Sequence, residues 1–454
     1  MKITGDPFVD AGALAMSMAP GKTTMDKINF ALDVYVDNWG SKIHSMFLNS
    51  TITSPAKSKE TEQKKTPKER KEDTIKFFSN IHSDSKHNEY CKGCCSTCGM
   101  QKKLFPATRC ELPLSGSGAF VNFHHGHCPG ILLCTDCITK LFFLPLAVLN
   151  LGGKYAILQV QDINIKTFWI DYVIQKNFDK ISKGTSNKML STNLKNPQNA
   201  LFEFAAKIIS NISNGTDDIS IQLFHFTNYG SGPKADIHTL PNPVFGFLKF
   251  ALKSPYKQDW YKFIYSHFRI KNGKWDEQEE AWIVKKQAVS AESIVNNTNN
   301  IYKCLLAGKS ITGSLFNTKK RKLNLPFGLI RYYLIEVENM RKEQVQSIER
   351  LAIKLIDLAS KDDRFNKFIT PIEGAKKPWE LRITLLRAVK TNFKEQEKEP
   401  LLTVNDYVEY LFPDGQYWSE TRDLLLICIY EELHKRRMVP KELVDNDIET
   451  PDQF

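Results

Sequence analysis

The sequence lacks an apolar stretch long enough to cross a membrane. Its most apolar run, residues 141–151, covers about half of the ~20 residues that a bilayer requires and is expected to lie in a protein core. A secretory signal is also missing, because the apolar residues 11–19 are too few and Asp6 and Asp10 stand where such a signal is basic. Both absences predict a cytoplasmic protein without a membrane partner.

Recognisable catalytic groupings are missing as well. The motifs of the chain cannot be assembled into a pair of catalytic carboxylates, a Ser-His-Asp set or a metal site with an open position. We therefore expect a binding protein and not an enzyme.

Acidic residues are too few to balance the basic ones. Lys and Arg number 62 against 51 Asp and Glu, which gives a formal net charge of +11. From residue 340 onward acidic residues outnumber basic ones, 22 to 19, so the basic excess lies in the first 339 residues. Because basic side chains neutralise phosphates and release counterions, this distribution is typical of nucleic-acid binders, although other basic proteins share it.

Cysteine is concentrated in one stretch, since eight of the ten cysteines lie between Cys91 and Cys137. Two Cys-x-x-Cys turns within it can bring four thiolates to one Zn²⁺, and Gly99 suits the left-handed backbone of such a turn. The spacing predicts a structural zinc site with four ligands: Cys95, Cys98, Cys134 and Cys137. Cys91 and Cys94 form an overlapping Cys-x-x-Cys pair, so the first turn could use either register.

Three other interpretations of the cysteines compete with structural zinc. Disulfides are disfavoured because no secretory signal is present. A catalytic zinc would need an open coordination position and nearby donors, for which the sequence offers His124, His125, His127 and Cys128. The third interpretation is a site that has lost its metal or holds a redox-active one. Structural zinc is favoured because four thiolates close the coordination sphere, and a zinc-dependent enzyme acting on nucleic acid is kept as the alternative.

Three segments offer residues for nucleic-acid binding. A glycine-rich loop after a predicted strand could clamp a phosphate, or could be a plain hairpin turn. Basic residues interleaved with aromatic rings follow, and they suit either a nucleic-acid groove or an amphipathic helix with its aromatics in the core. A dense basic cluster before Pro326 is expected to contact phosphates. The candidates are Asn228, Ser231 and Lys234 in the loop; Lys262, Arg269 and Lys271 in the second segment; and Lys319, Lys320, Arg321 and Lys322 in the cluster.

The pattern of apolar residues predicts an α+β protein that ends in an all-α bundle. Residues 1–90 form an N-terminal helical part with a mobile linker at 54–73, residues 91–140 the zinc module, and residues 141–318 the rest of the α+β domain. Strands are predicted at 119–123, 155–161 and 219–226. The C-terminal bundle, residues 323–454, is predicted to contain helices 331–360, 378–393, 404–411 and 419–437.

The opening motif, Gly5-Asp6-Pro7-Phe8-Val9-Asp10-Ala11-Gly12, occurs together with the paired Cys-x-x-Cys turns and a helical C-terminal region. In this combination the chain resembles the large subunit of type I-B CRISPR effector (Cascade) complexes, the family named for its CXXC-CXXC region. The resemblance implies a non-catalytic subunit that joins a guide-RNA complex of backbone subunits and a guide-end-capping subunit. Such a subunit reads a short motif flanking the target in duplex DNA, helps to separate the strands and supports the displaced strand.

The resemblance also implies that the C-terminal region is similar to the small subunit of these complexes, of which extra copies are made from an internal start. Met340 is one candidate start, and a non-Met codon slightly upstream is another. We expect the region from about Leu323 onward to fold alone and to pack beside further copies. One face, bearing Arg382, Arg387 and Lys390, would meet DNA. A stand-alone zinc-ribbon regulator, binding DNA without guide RNA, is the remaining alternative.

Overall fold

The structure, a computed structural model, describes residues 3–43, 46, 65–83, 91–107, 111–114, 131–159, 161–211, 219–227, 233–317, 322–361, 363–395, 399–412 and 418–438. These residues form a mixed α and β protein with a helical C-terminal region. They divide into two compact units, Met1–Asn242 with Ser290–Thr298, and Pro243–Val289 with Asn299–Phe454. None of the helices among the described residues is both long and apolar enough to span a bilayer.

Helices account for most of the regular structure. Three π-helical segments of five or six residues also occur among the described residues, at Val34–Trp39, Ile170–Ile174 and Asp406–Leu411. The α-helices are α1 (Pro7–Met18), α2 (Thr24–Asp33), α3 (Pro67–His82), α4 (Thr135–Phe142), α5 (Leu144–Ala147), α6 (Ile163–Trp169), α7 (Gln175–Ser182), α8 (Pro197–Asn211), α9 (Asn242–Ala251), α10 (Lys257–Ser266), α11 (Ala291–Ile294), α12 (Asn300–Leu306), α13 (Phe327–Glu336), α14 (Lys342–Ser360), α15 (Phe365–Glu373), α16 (Pro378–Lys394) and α17 (Trp418–Lys435).

Within the described residues, the strands form four small antiparallel sheets. Their orders are β1-β2-β3, β4-β5-β6-β7, β10-β9-β8 and β11-β12. The strands are β1 (Cys91–Cys94), β2 (Gln101–Ala107), β3 (Ile131–Cys134), β4 (Leu149–Leu151), β5 (Lys154–Leu158), β6 (Ile221–Thr227), β7 (Lys234–Leu240), β8 (Lys274–Asp276), β9 (Ala281–Val284), β10 (Gln287–Ala288), β11 (Phe316–Asn317) and β12 (Lys322–Leu323). The first two sheets belong to the first unit and the other two to the second.

Two of the strands predicted from the sequence correspond to β5 and β6, while the predicted strand 119–123 lies outside the described residues. Strands β8, β9 and β10 were not predicted, because the apolar spacing after Pro243 is helical on average. The apolar run 141–151 lies in the core, as expected, and covers the end of α4, all of α5 and β4. Its side chains are buried in the first unit, except that of Asn150, which is half-buried.

Helix α1 is the centre of the first unit, and the opening motif explains why. Asp6 caps the helix by accepting hydrogen bonds from the backbone N–H groups of Phe8 and Val9, and Pro7 occupies the first turn, where its missing N–H costs nothing. Asp10 is buried and accepts hydrogen bonds from Thr4 and Gly5, which fixes the chain ahead of the helix. Buried α1 then packs on α4, α5 and β5.

Helix α3 corrects one prediction, the mobile linker at residues 54–73. Residues 47–64 lie outside the described part of the chain, but residues 67–73 are the first two turns of α3. Thr66 and Glu69 form a reciprocal capping box at its start, and Pro67 is in the first turn. Phe78 and Ile81 on the same helix are buried, with the Phe78 ring 4.8 Å from that of Phe142. Capping and burial therefore order residues whose composition alone is typical of a loop.

Aromatic packing joins the beginning of the second unit to later parts of the chain. The Phe247 ring on α9 contacts Trp260 on α10 and Tyr333 on α13, at centroid distances of 5.2 and 5.5 Å. Phe250 on α9 stacks on Tyr332 at 4.2 Å. Residues 243–289 thus share a core with residues beyond 323, so this division of the chain differs from the boundaries predicted from the sequence.

The C-terminal helices α14 to α17 pack on one another, with α14 against α17 as the main contact. The single helix predicted at 331–360 is wrong, because two helices, α13 and α14, occupy this stretch. Asn339 adopts a left-handed conformation with φ of 55°, and the N–H of Met340 turns back to the carbonyl of Leu334 at 2.9 Å. An asparagine tolerates this conformation and ends the helix. Met340 consequently lies in the connection just ahead of α14.

Candidate metal centre

The first Cys-x-x-Cys turn connects β1 to β2. The N–H of Cys95 donates to the carbonyl of Met100 at 3.0 Å, and the N–H of Gly99 donates to the carbonyl of Cys95 at 2.9 Å. Gly99 has a φ of 68°, a left-handed conformation that glycine adopts without the steric penalty of a Cβ atom. This tight turn points Cys95 and Cys98 to the same side.

The second Cys-x-x-Cys turn lies where β3 passes into α4. Strand β3 pairs with β2 so that Cys134 is opposite Leu104, and this pairing brings Cys134 next to the first turn. Cys134 is also the N-cap residue of α4, and Cys137 belongs to the first turn of that helix. One pair of cysteines is therefore held by a hairpin and the other by a helix start.

The four sulfurs converge. All four Sγ atoms lie within 4.8 Å of one another, and those of Cys98 and Cys134 are 3.8 Å apart. The N–H of Cys134 donates to the Cys95 sulfur at 3.3 Å. Cys95, Cys134 and Cys137 are buried, and Cys98 is half-buried. We call this group the cysteine cluster; it consists of the four residues that the sequence predicts as ligands.

Of the overlapping cysteine pair, Cys94 does not enter the cluster. Cys94 is exposed, because it is the last residue of β1, opposite Gln101, whereas the next residue, Cys95, turns inward. The side chain of Cys91 lies outside the described part of the chain, as do Cys110 and Cys128. Among the cysteines that the structure describes, the register with Cys95 and Cys98 is therefore the one that faces Cys134 and Cys137.

Electrostatics make a cation necessary if all four thiols are to ionise together. A hydrogen bond from the Cys137 thiol lowers the pKa of Cys134. The same bond, with burial and the nearby Cys134 charge, raises the pKa of Cys137, and burial raises that of Cys98. One thiolate thus forms readily, while further ionisation is opposed by burial and by repulsion between like charges. A bound metal ion removes both penalties.

Helix α4, which carries Cys137, is fixed from two sides. A Cβ atom on Gly12 of α1 would lie 2.0 Å from the carbonyl oxygen of Lys140, so only glycine allows α1 to come this close to α4. On the other side, the Thr135 hydroxyl donates to the carbonyl of Ile81 on α3 at 3.0 Å. Lys102 forms an ion pair with Asp136 beside the cluster. Sequence reasoning missed these supporting contacts, since the residues that form them are far apart in the chain.

The residues named for a catalytic zinc, His124, His125, His127 and Cys128, lie outside the described residues. Within the described part of the chain, no second group of three or more His, Cys, Asp or Glu side chains is arranged to hold a metal ion. The cysteine cluster is a site compatible with metal binding, built of sulfur donors alone.

The predicted nucleic-acid residues are only partly within the described chain. Asn228, Ser231, Lys319, Lys320 and Arg321 lie outside it, and of Lys322 the structure describes only the backbone, in β12. Lys234 is exposed at the start of β7 in the first unit. In the second unit, Lys262, Arg269 and Lys271 are exposed.

Two of these exposed side chains have partners in the second unit. Lys262 forms an ion pair with Glu280, and the Arg269 side chain donates to the Asn300 amide oxygen at 2.7 Å. Both contacts are at the surface, where an ion pair is worth about 0–1 kcal/mol and can be exchanged for a ligand.

The aromatic residues near these basic side chains are mostly in the core. Trp260, Phe263 and Phe268 are 1%, 2% and 4% exposed, whereas Tyr261 is 39% exposed. The interpretation that these three rings stack on bases is therefore wrong, and the amphipathic-helix interpretation holds for them. Their spacing matched both interpretations because the face of a helix that packs inward has the same period as a face that binds a ligand.

No family model matches the sequence, and no curated protein is similar to it.

Proposed function

We propose that this chain is the non-catalytic large subunit of a cytoplasmic RNA-guided surveillance complex, similar to the large subunit of type I-B Cascade. The observation that supports this most is that the two motifs carrying the resemblance are packed together. Gly12, the last residue of the opening motif, lies against the backbone of Lys140, on the helix whose first turn holds Cys137. Two motifs that are distant in sequence thus have one joint structural role.

In this proposal the cysteine cluster holds a structural Zn²⁺. Four sulfurs, each about 2.3 Å from one tetrahedral ion, are about 3.8 Å from each other. The distance of 3.8 Å between the Cys98 and Cys134 sulfurs agrees with this, and all four sulfurs lie within 4.8 Å. Four thiolates leave no coordination position for water or substrate, so the metal stabilises the fold and takes no part in a reaction.

The partners in this proposal are guide RNA with its backbone and capping subunits, the target duplex and the displaced strand. Base pairing with the guide would read the sequence, while side chains of this chain contact the DNA backbone and a short flanking motif. Exposed Lys234, Lys262, Arg269 and Lys271 supply positive charge for these contacts, and residues 319–322 add four more basic side chains. Such contacts are sequence-independent and sensitive to salt.

The C-terminal helices support the part of the proposal that concerns separately made small-subunit copies. Met340 lies between α13 and α14, so a product that starts there keeps α14 to α17 whole. Helix α13 would be left behind, with its Tyr333 packed on Phe247 of α9, and the ion pair of its Arg331 with Glu349 on α14 would be lost. An internal start at Met340 therefore removes no part of the packing between α14 and α17.

The test is to purify the tagged full-length chain from its native cells and to sequence the RNA bound to it. We expect backbone subunits, a guide-end-capping subunit and repeat-derived RNA of uniform length to co-purify with it. The complex should bind duplex DNA that is complementary to the guide, and the isolated chain should bind DNA weakly and irrespective of sequence.

Two results would overturn the proposal. Sequence-specific DNA binding by the isolated chain, with no guide RNA in the purified material, would identify a stand-alone zinc-ribbon regulator. Metal-dependent hydrolysis of nucleic acid by the isolated chain would identify a zinc-dependent enzyme.

A further inference from the structure

Helix α16 exposes a row of large apolar side chains. Trp379, Ile383, Leu386 and Phe393 are 54%, 38%, 64% and 82% exposed. At about 100° per residue, these four positions fall within an arc of about 80° on one side of the helix. Leu381, Leu385 and Ala388 on the other side are buried in the bundle. We call the four exposed residues the α16 stripe; exposed apolar side chains gathered on one face of a helix mark binding surfaces.

Basic residues surround the α16 stripe. Lys390 lies within the same arc, Arg382 lies on one flank, and Arg387 and Lys394 lie on the other, as the helical spacing requires. Glu380 is the one acidic residue of the helix, against four basic ones. The partner that fits this surface is therefore a segment that alternates apolar and acidic side chains.

We propose that the α16 stripe is the docking surface for residues 439–454 of the same chain, a segment that follows α17 and lies outside the described residues. The segment contains five acidic residues and one lysine, the reverse of the balance on α16. Apolar residues are interspersed among the acidic ones, so that the segment can cover apolar side chains and neutralise basic ones together. The acidic residues are Glu442, Asp445, Asp447, Glu449 and Asp452, and the apolar ones Val439, Leu443, Val444, Ile448 and Phe454.

The end of α17 lies within reach of the stripe. The Arg436 side chain donates to Asp357 on α14 at 2.6 Å. One helical turn further along, Lys361 pairs with Glu395, which follows α16 directly and is two residues beyond Phe393. Sixteen residues extend to at most about 58 Å, whereas the 17 residues of α16 measure about 26 Å. The segment is long enough to run along the whole stripe.

Given the proposed function, on which this step rests, docking of residues 439–454 would compete with DNA for α16. Arg382, Arg387 and Lys390 are the side chains expected to meet DNA, and all three are exposed on the face that the segment would cover. The acidic side chains of the segment and the phosphates of DNA would then compete for the same three cations. Residues 439–454 would act as an intramolecular inhibitor of DNA binding at this face.

The test is photo-crosslinking in the full-length chain. A benzophenone amino acid in place of Leu386 is expected to crosslink to a peptide within residues 439–454 of the same molecule, as identified by mass spectrometry of the monomer. The matched control has the same amino acid in place of Gln346, an exposed position on α14 away from the stripe, and should give no such crosslink.

Charge reversal makes the test sharper. Arg387→Glu with Lys390→Glu is expected to lower the yield of the crosslink severalfold, and adding Asp445→Lys with Asp447→Lys should restore it. The proposal would be overturned if the crosslink yield did not change with these charges, or if Leu386 crosslinked to other segments. Crosslinked dimers in place of monomers would also overturn it, because they would show that a second copy covers the stripe.

A separate measurement addresses the competition. Truncation after Met438 should raise the affinity for DNA severalfold at low salt, and charge reversal at Arg387 and Lys390 should abolish that gain. If the crosslink forms and the truncation leaves affinity unchanged, docking stands and the contact of this face with DNA is refuted.

Discussion

Replacement of Gly12 by alanine tests whether the opening motif and the metal centre form one substructure. The added Cβ atom would lie 2.0 Å from the carbonyl oxygen of Lys140 and 2.8 Å from its carbonyl carbon, both backbone atoms of α4 that no rotamer change can move. Because Cβ atoms are essentially never found closer than 3.0 Å to another heavy atom, the two helices have to separate by about 1 Å.

Overpacking of a tight helix contact by one methyl group costs about 1–3 kcal/mol of folding free energy. With a urea m-value near 3 kcal/mol/M, this lowers the unfolding midpoint by about 0.3–1 M. The displacement also reaches the cysteine cluster, because α4 carries Cys137 in its first turn. We therefore expect Gly12→Ala to release metal to a chelator faster than the unmodified chain does.

The matched control is the same substitution at Gly246, inside α9. There the new Cβ atom would have the Tyr332 hydroxyl, 4.0 Å away, as its nearest neighbour, which is an ordinary contact. Alanine in a helix interior is favoured over glycine by about 0.5–1 kcal/mol, so this variant should be slightly more stable and keep the normal metal-release rate. Urea unfolding and chelator-driven metal release measure both variants. A Gly12→Ala protein that matches the unmodified chain in both assays would refute the packing argument.

Three further predictions concern the metal, the basic cluster and the C-terminal helices. Elemental analysis should find one zinc per chain. Cys137→Ser should lose the zinc and become protease-sensitive, because the metal-binding energy of such a site is folding energy. Cys94→Ser should keep the zinc. Zinc retained in Cys137→Ser would contradict the ligand set. Neutralising Lys319, Lys320, Arg321 and Lys322 should flatten the slope of log K against log salt by about 0.9 per lost phosphate contact on duplex DNA; an unchanged slope would exclude such contacts. The fragment 340–454 should be helical by circular dichroism and unfold cooperatively, and a disordered fragment would refute its independence.

The sequence contains local signals for the start of α3 and for the break between α13 and α14, but the composition and apolar spacing around them indicate otherwise. Thr66-Pro67-Lys68-Glu69 is a capping box with proline in the first turn, yet the surrounding lysines and glutamates are typical of a loop. The helix forms because Phe78 and Ile81, later in the same helix, are buried. Similarly, Asn339 marks a break between α13 and α14 that an uninterrupted apolar period conceals.

The sequence by itself determined the chemistry of the candidate site and the helical character of the C-terminal region. Two Cys-x-x-Cys turns define four sulfur donors through local geometry, and helical periods are local as well. Tertiary structure decided the register of the first turn. Successive side chains of a strand point to opposite faces, so the pairing of β1 with β2 determines that Cys95 faces inward and Cys94 outward. Packing likewise decided that Trp260 and Phe263 are core residues and that Gly12 has to be glycine. These properties depend on which backbone lies next to the residue in space, and that neighbour can be more than a hundred positions away in sequence.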